Sequence, residues 1–285
     1  MCSRVAVCVA VCVCVFVFVS VRACARVLYL RSLTIVLSRR YWNHLGDAGM
    51  AALCASLMKE PQPVLETLVV YNNEVTEIGA LAVSEMLKRN TVLNSLALVS
   101  NTIGEEGCVA LCDALTVNTT LTCLDVSKSH LGWNVVNMSR VFEENKSLTA
   151  VNLCGNMLNP EESSQFAIAL RENRVLRTLT LSVVTLPVQE LLGYSIPVCD
   201  TLAFASMELS TVDACFIAKC LRTNHRLTSL ECVARGFRAV MLQHPHTWWC
   251  CYCCCCAAAC LGTSYVTTRR WLWRVISTTT TRWRS

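Results

Sequence analysis

The sequence has no Asp or Glu after Glu231, and only Asp47 and Glu60 before position 65. Residues 65–232 hold 18 acidic and 11 basic side chains, while residues 1–64 and 233–285 each hold 7 basic ones. The net charge of +5 therefore averages an acidic middle with two basic flanks. Histidine is scarce: between His44 and His225 only His130 occurs, in the turn KSHL. Acid–base chemistry needs a partnered group, and Asp125 and Glu231 stand far apart, so the chain reads as non-enzymatic. Gly104–Gly107 (GEEG) lacks a following Lys-Ser/Thr, which excludes a phosphate-cradling loop of that type. No basic stripe alternates with aromatics, which argues against nucleic acid.

Dispersed cysteines are also missing. Of 21, 6 fall in residues 1–64, 8 in 65–232 and 7 in 250–260. A disulfide framework spaces its cysteines to close loops. Cys108, Cys112, Cys123, Cys154, Cys199, Cys215, Cys220 and Cys232 read instead as small buried hydrophobes in a reducing, cytoplasmic setting. Adjacent cysteines at Cys253–Cys256 wrap a tetrahedral ion poorly, so neither metal nor cofactor is expected.

What is present is a repeat. LETLVVYNNEV starts at Leu65, LNSLALVSNTI at Leu93, LTCLDVSKSHL at Leu121, LTAVNLCGNML at Leu148 and LRTLTLSVVTL at Leu176. Weaker copies start at Leu202 and Leu227, giving steps of 28, 28, 27, 28, 26 and 25 residues. Apolar residues hold the fourth and sixth positions (Leu68 and Val70, Leu96 and Leu98, Leu124 and Val126). This alternation marks a short strand with one buried face. The ninth position reads Asn73, Asn101, Ser129, Asn156 and then Val184. An amide there satisfies backbone groups between neighbouring coils; Val184 cannot, so the fifth copy should be irregular.

Each second half has helical spacing. Ile78, Leu81, Ala82 and Met86 are expected on one helix face, as are Val109, Leu111, Cys112 and Leu115, and Phe166, Ile168 and Leu170. Pro160 and two glutamates mark a helix start. Asn90, Asn118, Asn145, Asn173 and Asn224 recur just after the helices, where a left-handed cap suits asparagine.

These residues resemble the ribonuclease-inhibitor type of leucine-rich repeat, shared with innate-immune receptors and with activators of the small GTPase Ran. The resemblance implies an α/β solenoid, a horseshoe of strand–helix units over residues 65–232. Residues 31–64 read as a degenerate first repeat, in which Arg40 occupies the sixth position and damages the strand. The resemblance also implies a concave binding face, made here by Val69, Tyr71, Ala97, Val99, Asp125, Asn152, Thr180, Ser206, Glu208 and Glu231, with Ser127, Cys154 and Ser182 beside them. That surface is small-residued and weakly acidic, and suits another protein. Tyr71 and Trp133 are the large candidates for an anchor.

The flanks read as low-complexity sequence outside the fold. Residues 1–30 contain VCVCVFVFV, and residues 233–285 contain CCYCCCCAAAC. Two alternatives remain open: a signal or membrane segment at 5–21, and a membrane span at 247–268. In those cases Asn118, Asn137 and Asn145, which all stand in Asn-x-Ser/Thr triplets, would carry glycans. Three functions follow: a non-enzymatic interaction scaffold, a regulator of a Ran-type GTPase, or a membrane-anchored receptor-like protein. The Ran activators end in an acidic tail, which this chain lacks. The segment Pro187 to Thr201 fits no copy of the repeat.

Overall fold

The computed structural model describes residues 31–36, 45–60, 62–197, 199–205, 209–234, 237–244 and 247–250. The Leu-x-Leu segments form six parallel neighbours: β1 (Ser32–Val36), β2 (Thr67–Tyr71), β3 (Ser95–Ala97), β4 (Cys123–Asp125), β5 (Ala150–Asn152) and β6 (Thr178–Thr180). Their register sets Leu33, Leu68, Leu96, Leu124, Val151 and Leu179 in one buried row. Helices α1 (Gly46–Leu57), α2 (Glu77–Leu87), α3 (Gly104–Val117), α4 (Met138–Glu144) and α5 (Pro160–Ala169) follow the first five strands, each packed on the next. Strands repeat at about 4.8 Å and helices at about 8–10 Å, so the stack bends with the sheet inside. The core lies between the two layers, with Phe142 and Phe166 edge to face at 5.2 Å.

The first unit has its strand earlier than expected. Leu33 pairs with Leu68 and Ile35 with Val70, so these two, not Arg40, hold the fourth and sixth positions. Leu33 and Leu68 are 35 residues apart, against 28 for Leu68 and Leu96, and the surplus lies in the connections around α1.

Helix faces also differ from the expected ones. Ile78, Leu81, Val109 and Ile168 are exposed. The buried stripe of α2 is Gly79, Ala80, Val83, Ser84, Met86 and Leu87. Small residues point inward because the helix starts touch. A Cβ on Gly107 would stand 2.8 Å from the Ala80 Cβ and 3.3 Å from the Glu77 Cα. Cross-unit capping tightens the same edge: Asp47 of α1 accepts from the Thr76 and Gly79 amides at 2.7 and 2.9 Å. Helix α5 has the expected start, with Pro160 after a reciprocal Asn159–Glu162 capping box.

The asparagines after the helices are not left-handed caps. Asn118, Asn145 and Asn173 are extended, with φ of −74°, −72° and −81°. Each amide instead reaches back one unit: Asn118 Nδ2 donates to the Leu87 carbonyl and Asn145 Nδ2 to that of Leu115, both at 2.7 Å. Each Oδ1 then accepts from the segment that leads into the next strand, as Asn118 does from the Thr120 and Leu121 amides. Asn118 and Asn145 are buried, so a glycan on either Nδ2 would remove these bonds.

At Val184, which is buried, the parallel sheet stops. The chain turns back as β7 (Thr185–Pro187), antiparallel to β6, and makes the single-turn helix α6 (Val188–Leu191). The segment Pro187 to Thr201, which fits no copy of the repeat, thus starts at the end of β7 and forms a truncated unit. A second sheet follows, in the order β11-β10-β9-β8. It comprises β8 (Thr201–Ala205), β9 (Ser229–Ala234), β10 (Phe237–His244) and β11 (Thr247–Cys250), with helix α7 (Thr211–Leu221) between β8 and β9. Strands β10 and β11 extend this sheet past residue 232 as antiparallel strands. The helix layer bridges the two sheets, with α5 packed on α7.

Among the described residues no helix is long and apolar enough to cross a membrane. Residues 5–21 lie outside the described residues. Of residues 247–268, only 247–250 are described, as β11.

Candidate functional site

The sheet's solvent face is built by the residues between the buried leucines. Register places Val69, Ala97, Asp125, Asn152 and Thr180 in one continuous row across β2 to β6. A second row runs Thr67, Ser95, Cys123, Ala150 and Thr178. All ten are partly exposed. Tyr71, opposite Val36 on β1, is the largest side chain of this face and 39% exposed.

The central polar groups of the face are held by hydrogen bonds. The Asp125 carboxylate accepts from the Ser127 amide and from Asn152 Nδ2, both at 2.9 Å. Asn152 Oδ1 accepts from the Cys154 amide at 3.0 Å. Thr180 and Thr185 share a hydroxyl–hydroxyl bond at 3.0 Å, and the Ser182 hydroxyl donates to Asp213. The result is a low platform, fixed along its length, with one anionic group and one aromatic edge. Val99 sits at the rim, its carbonyl accepting from the Asn72 amide at 2.9 Å.

One expected member is separate. Glu231 lies on β9 in the second sheet, between Ala203 and Val240, away from the Asp125 row. Ser206 and Glu208 lie outside the described residues, as does the Trp133 side chain.

Behind the face runs the ninth-position ladder. Asn101 Oδ1 accepts from the Asn73 and Val75 amides at 3.0 and 3.2 Å. Its Nδ2 lies 3.0 Å from both the Val70 and Leu98 carbonyls. Asn156 likewise joins the Ser129 amide to the Val126 and Leu153 carbonyls. Ser129 donates its hydroxyl toward the Leu98 and Ser127 carbonyls. These bonds hold the strand ends in step and so fix the spacing of the platform.

Not all the middle cysteines are buried. Cys108, Cys112 and Cys220 are, with Cys54 of α1, whereas Cys123, Cys154, Cys199 and Cys215 are only partly covered. All eight are free thiols. Burial pushes the Cys54 thiol up to about 12, and the thiols of Cys112 and Cys220 are raised further, the first by its bond to Cys108 and then by burial, the second by burial. These are packing groups rather than nucleophiles. Among the described residues no three His, Cys, Asp or Glu side chains converge on a metal position.

A search of curated proteins gives no match. Solved structures similar to this chain include actin-binding site 2 of leiomodin-1, at 22% identity, 52% of this chain, 86% of that one and a TM-score of 0.44. Another is the tropomodulin C-terminal domain of Caenorhabditis elegans, at 20% identity, 54% of this chain, 93% of that one and a TM-score of 0.44. The leucine rich repeat family model matches residues 89–112 and 117–132, which take in β3, the first part of α3 and β4. With the parallel strands, the alternating helices and the asparagine ladder, that match makes the fold of this chain a leucine-rich-repeat solenoid.

Proposed function

We propose that the chain is a non-enzymatic protein-interaction scaffold of the ribonuclease-inhibitor-like repeat type, with the concave sheet face as its binding surface. The observation that carries this is the row from Val69 to Thr180: five partly exposed side chains, none longer than asparagine, in register on five strands. Small side chains let a partner's backbone approach closely, and groups already bonded to one another lose little entropy on binding. Tyr71 supplies the aromatic anchor at one end. Asp125 gives polarity at the centre, where a donor on the partner can reach the lone pairs that Ser127 and Asn152 leave open.

The eight free thiols support a reducing setting for the chain. So does the commitment of Asn118 and Asn145 to the solenoid's interior, since glycosylation at either would oppose folding.

The test is affinity capture with the full chain against an Ala97→Arg/Asn152→Arg variant, followed by mass spectrometry. Two arginines standing on the platform should remove the specific partners while the circular dichroism spectrum is kept. An identical set of captured proteins from both chains would sink the proposal. The variant Ile78→Arg, on the outer helix layer, should keep every partner.

A further inference from the structure

The truncated unit after β6 opens a second surface. In the regular part of the solenoid, the turns that follow the helices stand directly beside one another, each amide reaching the turn before it. At the break this contact is lost. Asn224 Nδ2 donates to the Glu190 and Leu191 carbonyls of α6, and Gln189 takes over the bond to the Asn173 carbonyl. The turns after Asn173 and Asn224 are thereby spread apart. Between them lies a cleft of about 430 Å³ whose walls include Arg174, Tyr194, Ile196, His225 and Arg226.

Its chemistry is one-sided. Among the described residues no Asp or Glu lines it, while two guanidinium groups and an imidazole do. The Arg174 guanidinium lies 3.1 Å from the centre of the Tyr194 ring, and Tyr194 is itself held by its hydroxyl bond to the Arg171 carbonyl at 2.6 Å. This stacking fixes the guanidinium plane and leaves its edge free to bond. Among the described residues neither Arg174 nor Arg226 is in an ion pair, unlike Arg31, Lys88 and Arg140. Ile196 is 94% exposed at the lip, an apolar side chain beside the charged wall.

We propose that this cleft docks an acidic peptide segment of a partner protein. The segment would lay carboxylates on Arg174 and Arg226 and an apolar side chain against Tyr194 and Ile196. Guanidinium groups take carboxylates in a bidentate fashion. The apolar lip favours a peptide over nucleic acid, which would need a longer basic track. This surface is separate from the concave face and can be occupied independently of it.

Fluorescence anisotropy tests the proposal, with the full chain titrated into a short fluorescein-labelled peptide that has glutamates on both sides of a phenylalanine. The wild-type chain should bind it, and bind a lysine-for-glutamate version far more weakly. Arg174→Glu/Arg226→Glu should weaken binding by about tenfold to a hundredfold, the range for lost charge-assisted bonds. Ile196→Ser should weaken it by about threefold, since the contact buries only part of one apolar side chain. Lys88→Glu/Arg89→Glu, on the same edge of an earlier unit, makes the same change in net charge and should leave binding unchanged. The milder Arg174→Gln/Arg226→Gln pair serves if charge reversal lowers the thermal midpoint. Equal loss in the Lys88/Arg89 variant, no loss in the cleft variants, or equally tight binding of an oligonucleotide of the same charge would each overturn the proposal.

Discussion

At the scale of single residues, the solenoid depends on side-chain amides that serve backbone groups in two units at once. Asn101 is 2% exposed and bonds two amides and three carbonyls. Removing it leaves those groups buried without partners, and each such group costs about 1–3 kcal/mol. Asn101→Ala should therefore lower the unfolding free energy by about 2–4 kcal/mol, the partners relaxing in part. Ser129→Ala, which gives up one hydroxyl donor, should cost about 1 kcal/mol. Urea denaturation of the full chain measures both, and equal costs would refute this reading of the ladder. The ninth-position pattern was legible in the sequence because its spacing is fixed. The second ladder was legible only as a recurrence. Its conformation depends on how far the preceding helix stands away, and one chain segment does not reveal that distance.

At the scale of elements, the strands were easier to read than the helices. A strand presents alternate residues, so Leu96 and Leu98 declare their face regardless of what surrounds them. A helix face depends on its neighbours, and here the neighbours come so close that Gly79, Ala80 and Gly107 are buried while Ile78 and Leu81 are not. Hydrophobicity ranks isoleucine above glycine; contact distance reverses the order. Two glycine substitutions separate these effects. In Gly107→Ala the new methyl meets Ala80 on α2 at 2.8 Å, with the Glu77 backbone behind it, so α2 and α3 must part. The overpacking should cost about 1–3 kcal/mol, more than the roughly 1 kcal/mol gained in helix propensity. In Gly49→Ala the methyl meets the Leu45 side chain alone, its Cδ1 at 2.6 Å and its Cγ at 3.0 Å, and a single side chain gives way more readily than a neighbouring helix. That change should be neutral or stabilising by up to about 1 kcal/mol. Thermal melts of the two variants should move in opposite directions or at least differ clearly. A Gly107→Ala midpoint at or above that of Gly49→Ala would show that the α2–α3 contact is looser than these distances imply.

At the scale of the whole molecule, the question is how two sheets share one solenoid. The loss of the ladder amide at Val184 was visible in the sequence, and with it the irregularity of that unit. That the chain would double back as β7, or that β10 and β11 would extend the second sheet, was not visible, since those segments carry no repeat signature. Across the gap the helix layer stays continuous, and polar contacts join the parts: the Ser182 hydroxyl donates to Asp213, and Asn224 Nδ2 to the Glu190 and Leu191 carbonyls. Asp213 is fully buried in the first turn of α7 and also accepts from the Ser210 amide at 2.9 Å, closing that helix's capping box. Its carboxylate thus does for this junction what Asn101 does within the regular part. Solenoid stability is a sum of unit terms and nearest-neighbour terms, so damage at a junction should spread one way only. Asp213→Ala removes the cap and the bridge together, for a cost of about 2–4 kcal/mol. Hydrogen exchange read by mass spectrometry should show α7, β8 and β9 losing protection by about 30-fold or more, the factor that 2 kcal/mol corresponds to. Protection in β2, β3 and β4 should change by less than about threefold, because their own neighbours are intact. Asp213→Asn keeps an oxygen acceptor for Ser182 and Ser210 and should fall between the two. Uniform loss of protection from β2 to β9 would mean that the sheets unfold as one unit, and the junction would then be no boundary at all.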